Sequence, residues 1–342
     1  QEILNKDKNK FFYTKIKEKK KRHIRMGDSS YLVEPNIKEG KGGIRDLNTL
    51  RWIISFIYQT TNSDQYVEIE VMTKEEVKLY NKAEKFLFSL RAMMHFLGSN
   101  NSDRLTFDLQ TIIADKLRYK NHSGSSSIER LMKHYYLYAK DVGHLSKSVI
   151  EKIENKNFKG SNSLIKSIIF KFNKNKKGVF EFYNGQIYLS KGIKSLKTID
   201  IFRAYNFSAD MQLDLSGNLE DLIKQNLKKV DLYRDNKKAN IFFINILMNK
   251  NCSENVLRNM NETGVLGRFI PDFGKVVAQV QHDMYHTYTV DEHTINAIGI
   301  LRKIDNGEYE DKFSLASNII KNIVSKKVLY VSLFLHDIAK GR

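Results

Sequence analysis

Residues 73–98 of the chain read TKEEVKLYNKAEKFLFSLRAMMHFLG. Apolar side chains return in this stretch at every third or fourth position, and Gly98 stands where the pattern ends, which is typical of a helix with one buried face. A second long helix is predicted over residues 125–153, where a run of serines precedes Glu129 as in a capping box. Patterns of this kind fill most of the sequence and predict a mainly α-helical fold.

The helical pattern is interrupted near the middle of the chain. Residues 171–178 are polar and rich in lysine, and they predict a linker that divides the chain near residue 174. Residues 179–192 alternate between apolar and polar side chains around Asn184-Gly185, which predicts a β-hairpin. Helical patterns then return, and a further helical segment begins near Thr289. The predicted segments are therefore 1–174, 175–288 and 289–342.

The composition is that of a globular protein with an excess of positive charge. Its 342 residues include 57 lysines and arginines against 39 aspartates and glutamates, a formal net charge of +18. The basic runs 15–25 and 170–178 carry no pattern of a nucleic-acid-binding module, so we interpret them as solvated surface and expect no nucleic acid as a partner. One cysteine, no apolar run long enough to cross a bilayer and no signal peptide predict a cytoplasmic protein without a membrane partner.

A glycine-rich turn precedes a predicted helix in YLVEPNIKEGKGGIRDLNTLRWI, residues 31–53. Lys38, Lys41 and Arg45 lie in or beside this turn, and cations next to the N–H groups of a helix start suit a phosphate group. An ordinary turn without a ligand is the alternative interpretation. Gly43 is expected to need a positive φ in the turn.

A helix start is predicted at Thr289, because Glu292 follows three residues later as in a capping box. His293 then lies in the first turn of this helix. We expect His293 to face inward, since apolar residues continue the same stripe four, seven and eleven positions later: Ala297, Ile300 and Ile304.

The end of the chain carries another histidine beside a carboxylate. His336 and Asp337 follow an apolar run, and His336 lies 43 positions after His293, far enough for the chain to return on a second helix. Imidazole and carboxylate groups gathered in this way suit a divalent ion and predict a metal site of His293, His336 and Asp337. Capping or core roles for these side chains are the alternative. Three other histidines have no ligand partners at suitable spacing and are expected to pack or lie at the surface: His95, His134 and His144.

The sequence resembles the bifunctional PII-protein uridylyltransferase/uridylyl-removing enzymes of bacterial nitrogen signalling. The most specific stretches are EPNIKEGKGGIRDLNTLRWI (34–53) and GVLGRFIPDFGKVVAQVQHDMYHTYTVDEHTINAI (264–298), and LFLHDIAKGR (333–342) also matches. With residues 103–119 and 128–139, these stretches follow the family's order over nearly the whole chain. The resemblance implies that the chain is an internal fragment of such an enzyme.

The resemblance also implies how the chain is organised. Residues 1–174 would be the C-terminal helical part of the uridylyltransferase half, and residues 175–288 a linking part of the uridylyl-removing half. Residues 289–342 would begin an α-helical HD-type phosphohydrolase domain and be cut short within it. In that domain His293 matches the first metal-ligand position, and His336 with Asp337 matches the signature pair.

The family implies particular ligands and partners. The metal would be magnesium or manganese, with iron or zinc as alternatives. The PII regulatory protein would be the macromolecular partner, UTP the uridylyl donor and glutamine the regulator. Two other functions are open from the sequence. One is a catalytically inactive remnant or scaffold, and the other is a different HD phosphohydrolase acting on nucleotides, which the motif YTVDEHTI disfavours.

We expect this chain alone to transfer no uridylyl group from UTP to a PII protein. The family's nucleotidyltransferase motif, a glycine-rich turn with acidic magnesium ligands, is not found in the sequence, and phosphoryl-type transfer depends on such a metal clamp. Incubation of the purified chain with PII protein and labelled UTP measures the activity. Label on the PII protein would contradict the expectation.

Overall fold

A computed structural model describes residues 2–27, 31–98, 102–122, 126–158, 175–183, 185–190, 192–193, 195–251, 253–280 and 287–341. The protein is mainly α-helical with one small sheet, as predicted. Its Cα positions form two compact units, of which unit 1 comprises Gln1–Ile165 and Val280–Tyr288 and unit 2 comprises Lys166–Gln279 and Thr289–Arg342. None of the helices in the described ranges is both long and apolar enough to cross a membrane.

Unit 1 is built from helices. Both long helices predicted from the sequence are confirmed, and the second begins with the expected capping box between Ser126 and Glu129. The helices of unit 1 are α1 (Glu2–Arg25), α2 (Ile44–Tyr58), α3 (Gln65–Glu68), α4 (Lys74–Leu97), α5 (Phe107–Lys116) and α6 (Ser127–Asn157).

Helix α6 lies at the centre of unit 1, where it contacts α2, α4 and α5. Its apolar stripe is completely buried at Leu131, Ala139 and Val149, and α2 turns the fully buried side chains of Leu47 and Leu50 inward. Burying side chains of this size from several helices in one core is the main force that holds such a unit together.

The glycine-rich turn before α2 packs directly against α6. Gly42 has a φ of +78°, and a Cβ at this position would lie 2.0 Å from the carbonyl oxygen of Ala139 in α6. The expected positive φ at Gly43 is wrong, because its φ is −82°. Gly43 is restricted by space instead, since a Cβ there would lie 2.5 Å from the carbonyl oxygen of Ile37.

Unit 2 contains a four-stranded sheet of order β1-β2-β3-β4. The predicted hairpin is confirmed, with β2 and β3 antiparallel and Phe182 opposite Ile187, while Asn184 of its turn lies outside the described residues. Strand β3 is parallel to β4. The strands are β1 (Asn175–Lys177), β2 (Phe180–Tyr183), β3 (Gln186–Leu189) and β4 (Asp214–Leu215).

Part of the predicted linker 171–178 belongs to this sheet. Residues 175–177 form β1 and pair with β2, so the backbone of this lysine-rich segment is hydrogen-bonded. Residues 171–174 lie outside the described residues. A polar strand is tolerated here because β1 is at the edge of the sheet, where charged side chains are common.

The helices of unit 2 surround a core shared with the sheet. Buried side chains from β2 and β3 belong to the same apolar cluster as those of residues 290–298 and 330–334. The segments 175–288 and 289–342, separate in the sequence-based division, therefore contribute to one core, and the functional division of the chain stays a prediction. The helices are α7 (Thr198–Met211), α8 (Gly217–Gln225), α9 (Leu227–Val230), α10 (Lys237–Leu247), α11 (Ser253–Thr263), α12 (Val265–Phe269), α13 (Pro271–Val276), α14 (Val290–Asp305), α15 (Ser314–Lys321) and α16 (Lys326–Leu335).

Candidate metal centre

The first turn of α14 carries His293 and is tied to α11 by buried polar contacts. Asp291, which is fully buried, accepts a hydrogen bond from the side-chain amide of Asn261 at 2.7 Å. Glu292 is also buried and lies 2.7 Å from a guanidinium nitrogen of Arg258. Because the two residues that precede the histidine in this turn are anchored, the backbone at His293 is held in place.

The predicted capping box at this helix start is wrong. Thr289 is the N-cap residue, but its side chain makes no capping hydrogen bond. Glu292 pairs with Arg258 instead, since an ion pair with a guanidinium is stronger than a hydrogen bond from one backbone N–H. The same guanidinium donates to Glu254 and Asn296 at 2.9 Å each, so it links three side chains from two helices.

Burial raises the pKa of both acidic residues in this turn. For Asp291 the hydrogen bonds from neighbouring groups oppose the effect without cancelling it. For Glu292 burial raises the pKa to about 7, against the opposing charge of Arg258. Oε2 of Glu292 has no hydrogen-bond partner within the described part of the chain, which adds to the free energy of keeping this carboxylate ionised.

The prediction that His293 and the apolar residues of its stripe face the core is wrong. Ile300 on that stripe is 46% exposed, whereas Ile295 and Ile298 are fully buried and form the core face of α14. His293 lies beside this face and is half-buried. A side chain at the edge of the core can contact a neighbouring helix and can also bind a ligand that enters from solvent.

Helix α16 positions the other two predicted ligands. Its buried residues are Tyr330 and Phe334, and the ring of Phe334 stacks on that of Phe273 with centroids 5.1 Å apart. His336 caps the C-terminus of the helix, and Asp337 follows it. The aromatic contacts therefore hold the end of α16, and both ligand residues with it, against the core of unit 2.

The ring of His336 has one nitrogen committed to the backbone. Its Nδ1 lies 2.6 Å from the carbonyl oxygen of Leu333. A carbonyl oxygen only accepts, so Nδ1 carries the proton, and in the neutral ring Nε2 then offers a lone pair. A neutral imidazole oriented by a hydrogen bond of this kind is the form that binds a metal ion.

The structure brings His293, His336 and Asp337 together. One ligand atom from each residue lies within 4.8 Å of the other two. The two imidazole centroids are 5.8 Å apart, and Nε2 of His336 is 3.4 Å from Oδ2 of Asp337. Ligands bound at about 2.1 Å from one ion lie about 3 to 4 Å apart, so small side-chain shifts would let these groups share an ion. Metal binding itself stays a prediction.

A lysine also approaches the carboxylate of this group. Nζ of Lys340 donates to Oδ2 of Asp337 at 2.9 Å. The backbone carbonyl of Lys340 in turn accepts from the side-chain amide of Gln279 at 3.0 Å, which holds the turn after α16. A divalent ion would therefore have to share Asp337 with this ammonium group or displace it.

The structure places the three predicted phosphate-binding cations in different surroundings. Nζ of Lys38 lies 3.5 Å from Oδ2 of Asp103, and Arg45 pairs with Glu39 at 3.0 Å. Lys41 lines a cavity of about 450 Å³ beside the glycine-rich turn. Lys38 and Arg45 thus each have a carboxylate partner within unit 1, and the role of all three cations with phosphate stays a prediction.

A buried charge cluster in unit 1 is not predicted from the sequence. The carboxylate of Asp46 is fully buried, pairs with Arg22 and accepts from the N–H of Gly42 at 2.8 Å. Burial alone would raise the pKa of Asp46, but the charges of Lys19, His23 and Arg22 hold that pKa well below its usual range. These cations belong to the basic run 15–25, whose sequence pattern alone predicts a solvent-exposed surface.

Two of the three histidines that were expected to lie outside any metal site make polar contacts in unit 1. Nε2 of His95 is 2.9 Å from Oδ1 of Asp103, and Nδ1 of His134 is 2.8 Å from the hydroxyl oxygen of Tyr119. Neither histidine belongs to a group of potential metal ligands within the described ranges. They serve as polar contacts of unit 1.

Comparisons with known proteins identify one group of similar enzymes. The family model described as GlnD PII-uridylyltransferase matches residues 10–150. A bifunctional uridylyltransferase/uridylyl-removing enzyme of Azospirillum brasilense is 40% identical over 336 residues, which are 97% of this chain and 36% of the relative. The enzymes of the same description from Novosphingobium aromaticivorans and Rhodospirillum rubrum are each 38% identical, over 100% and 97% of this chain and 37% and 35% of their own lengths.

These relatives are much longer than the chain, which spans little more than a third of their length. No solved structure matches the chain. The alignment with these relatives nevertheless covers nearly all of the chain, including residues of both units. The chain therefore belongs to the PII-uridylyltransferase family.

Proposed function

We propose that unit 2 carries part of a metal-dependent site that removes uridylyl groups from a PII regulatory protein by hydrolysis of a phosphodiester. The observation that supports this function is the convergence of His293, His336 and Asp337 within 4.8 Å. The relatives that match both units are described as uridylyltransferase/uridylyl-removing enzymes. An HD-type domain beginning at Thr289 is the part of the chain to which we assign the hydrolysis.

The donor set of this site fits a divalent metal ion such as magnesium or manganese, with iron or zinc as alternatives. A bound ion supplies Lewis acidity toward a phosphoryl oxygen. His336 presents Nε2 because its Nδ1 is held by the carbonyl oxygen of Leu333. His293 is kept in place by the buried contacts of Asp291 and Glu292, which precede it in the first turn of α14. The chain's own residues thus orient the ligands before a substrate arrives.

Unit 1 would serve the uridylyltransferase activity of the same enzyme. We assign it UTP as donor and the PII protein as acceptor, with Lys38, Lys41 and Arg45 near the nucleotide phosphates or supporting the turn that approaches them. Glutamine would be the regulatory ligand of the whole enzyme, which we place in the cytoplasm. The family model matches residues 10–150, which fall in this unit.

The metal site predicts a cation-dependent gain in thermal stability. Manganese, zinc or iron(II) should raise the melting temperature of the wild-type chain, because an ion that binds only the folded state stabilises it by mass action. His293→Ala and His336→Ala should each abolish this gain. The gain should also fade as the pH is lowered, because protons compete with a metal ion for the ligand atoms. Differential scanning fluorimetry with and without each ion measures the shift.

His95→Ala is the matched control for this experiment. His95 contacts Asp103 in unit 1, so its loss can lower the melting temperature without ions, but the ion-induced shift should stay as in the wild type. A wild-type chain with no shift for any of the three ions would contradict a metal site. Loss of the shift only in His95→Ala would show that the ligands were assigned wrongly.

One contact favours the rival function of a scaffold without hydrolytic activity. Lys340 already compensates the charge of Asp337 at 2.9 Å, so the carboxylate is satisfied without a metal ion. A chain that keeps this pair when metal is added would fold normally and lack the site. The ion-induced shift described above distinguishes the two functions.

A further inference from the structure

We propose that unit 1 docks an acidic segment of a protein partner on the aromatic cluster of Phe86, Tyr119, His134 and Tyr138. Phe86 belongs to α4, Tyr119 follows the end of α5, and the other two residues belong to α6. The inference uses neither the glycine-rich turn nor the metal site of unit 2, so it stands independently of the proposed function.

The four rings of the aromatic cluster contact one another at the surface of unit 1. Phe86 stacks on Tyr138 with centroids 4.8 Å apart, and His134 stacks on Tyr138 at 5.5 Å. The hydroxyl oxygen of Tyr119 lies 2.8 Å from Nδ1 of His134. His134 is exposed and the other three side chains are half-buried. Because two packed helices supply three of the rings, the cluster presents a fixed apolar surface to solvent.

An exposed aliphatic side chain enlarges this surface. Leu137 is 42% exposed and lies three positions after His134 in α6, so the two side chains share one face of the helix. A single exposed leucine needs no explanation, but a continuous exposed surface of several apolar side chains marks an interaction site. Tyrosine is also among the residues that contribute most to binding in protein interfaces.

Four cations lie beside the aromatic cluster: Lys82, Lys120, Arg130 and Lys133. Lys82 and Arg130 each lie one helical turn before a ring of the cluster, and the other two lysines adjoin rings in the sequence. None of the three lysines forms an ion pair within the described ranges. The guanidinium of Arg130 donates to the backbone carbonyl of Lys120 at 2.7 Å, a contact that leaves its charge uncompensated.

The carboxylates of these helices do not neutralise the four cations. Glu84 pairs with Arg51, and Glu129 caps the start of α6. Asp115 and Asp141 remain in α5 and α6, and they can offset two of the four positive charges at most. The surface therefore combines an apolar centre with net positive charge around it. Its complement is an acidic segment that also carries apolar side chains.

The geometry of the aromatic cluster favours a protein over a nucleic acid, although both would be attracted by cations and rings. Proteins that bind single strands present separate ring faces on which successive bases stack. Here the ring of Tyr138 already stacks on both Phe86 and His134, and Leu137 offers an aliphatic surface instead of a ring face. Aromatic or aliphatic side chains of a peptide can pack on such a surface without opening it.

Binding should be measured by fluorescence anisotropy with the full 342-residue chain, at constant ionic strength and with EDTA present to remove metal ions. The labelled probes are a copolymer of glutamate and tyrosine, poly-glutamate of the same length, and oligouridylate. We expect the copolymer to bind about tenfold or more tightly than poly-glutamate, because its tyrosines add contacts to the aromatic cluster.

His134→Ala and Tyr138→Ala should each weaken binding of the copolymer by about fivefold or more and leave that of poly-glutamate nearly unchanged. Lys133→Gln should weaken binding of both polymers. Phe96→Ala is the matched control, because Phe96 is 89% exposed in α4 and contacts none of the four rings within the described ranges. Circular dichroism and melting temperatures without ligand verify the fold. Since His134 is exposed, its variant keeps the test valid if Tyr138→Ala unfolds.

Several results would overturn the proposal. Equal affinities for the two acidic polymers, or no binding of the copolymer, would mean that the rings contribute nothing. An equal loss of affinity in Phe96→Ala would mean non-specific attraction to a protein of net charge +18. Tighter binding of oligouridylate that the ring variants weaken would assign the surface to a nucleic acid. A dimer in analytical ultracentrifugation that His134→Ala abolishes would assign it to a second copy of the chain. None of these results bears on the metal-induced shift in unit 2.

Discussion

Gly42→Ala should destabilise the protein by about 3 kcal/mol or more, one of the largest effects expected from a single methyl group. Two causes act together. Alanine is strained at a φ of +78°, and its Cβ would lie 2.0 Å from the carbonyl oxygen of Ala139. That oxygen belongs to the backbone of α6, so no flexible side chain can move aside. The turn would have to separate from α6, and the start of α2 would move with it.

Urea denaturation followed by circular dichroism measures this effect. Gly143→Ala is the matched control, since Gly143 lies within α6 and a Cβ there meets nothing within 4 Å. Alanine at this helical position should stabilise the protein by about 0.5 to 1 kcal/mol. Two variants with the same chemical change in the same unit should therefore shift stability in opposite directions. Similar denaturation midpoints for both would mean that the turn does not pack against α6 in this way.

Asp46→Asn should cost about 3 to 5 kcal/mol, because it leaves buried cations without their carboxylate. The side-chain amide of asparagine has nearly the same shape and can still accept a hydrogen bond from the N–H of Gly42. The loss of stability therefore measures the contribution of the negative charge. Glu70→Gln is the control, since Glu70 and its partner Lys156 form a pair at the surface that should matter little. Equal stability of wild type and Asp46→Asn at pH 6 would show that the cluster contributes nothing.

The same cluster predicts a pH dependence with a definite sign. The folded-state pKa of Asp46 lies below the unfolded value of about 3.9, so its stabilisation is fully present above that value. The stabilisation is lost as the pH falls through the folded-state pKa. The difference in unfolding free energy between wild type and Asp46→Asn should therefore shrink by about 1 kcal/mol between pH 5 and pH 3. A difference that grows toward acid would contradict the depressed pKa.

The sequence predicted those elements whose signals are local. The long helices α4 and α6 follow from the spacing of their apolar residues and from their first turns, and the hairpin follows from alternation around an Asn-Gly pair. The approach of His293 to His336 was expected from the spacing of two helices and from the family resemblance, and their role as metal ligands stays a prediction. Strand β1 was not predicted from the sequence, because its three polar residues form a strand only by pairing with β2.

The errors arise where a distant partner prevails over a local pattern. Glu292 has the spacing of a capping residue, but Arg258 lies 34 positions earlier in the sequence and binds it in the folded chain. Likewise, nothing in the spacing of α1 shows that Arg22 meets Asp46, 24 positions later. The positive φ was assigned to Gly43 instead of Gly42 because adjacent glycines look alike in a sequence. Such pairings depend on tertiary packing, which cannot be read from the conformational preferences of neighbouring residues.

Helix α16 has only ten residues, and the side chains it buries are those of Tyr330 and Phe334. A helix of this length is marginal in water without its packing partners. Its detachment from the core would be a local opening event that removes His336 and Asp337 from the site in one step. If the proposed site binds an ion, release of that ion would then follow the opening free energy of this one helix, while the sheet and the other helices of unit 2 stay folded. Amide hydrogen exchange along α16 would therefore report how long the two ligands stay in place.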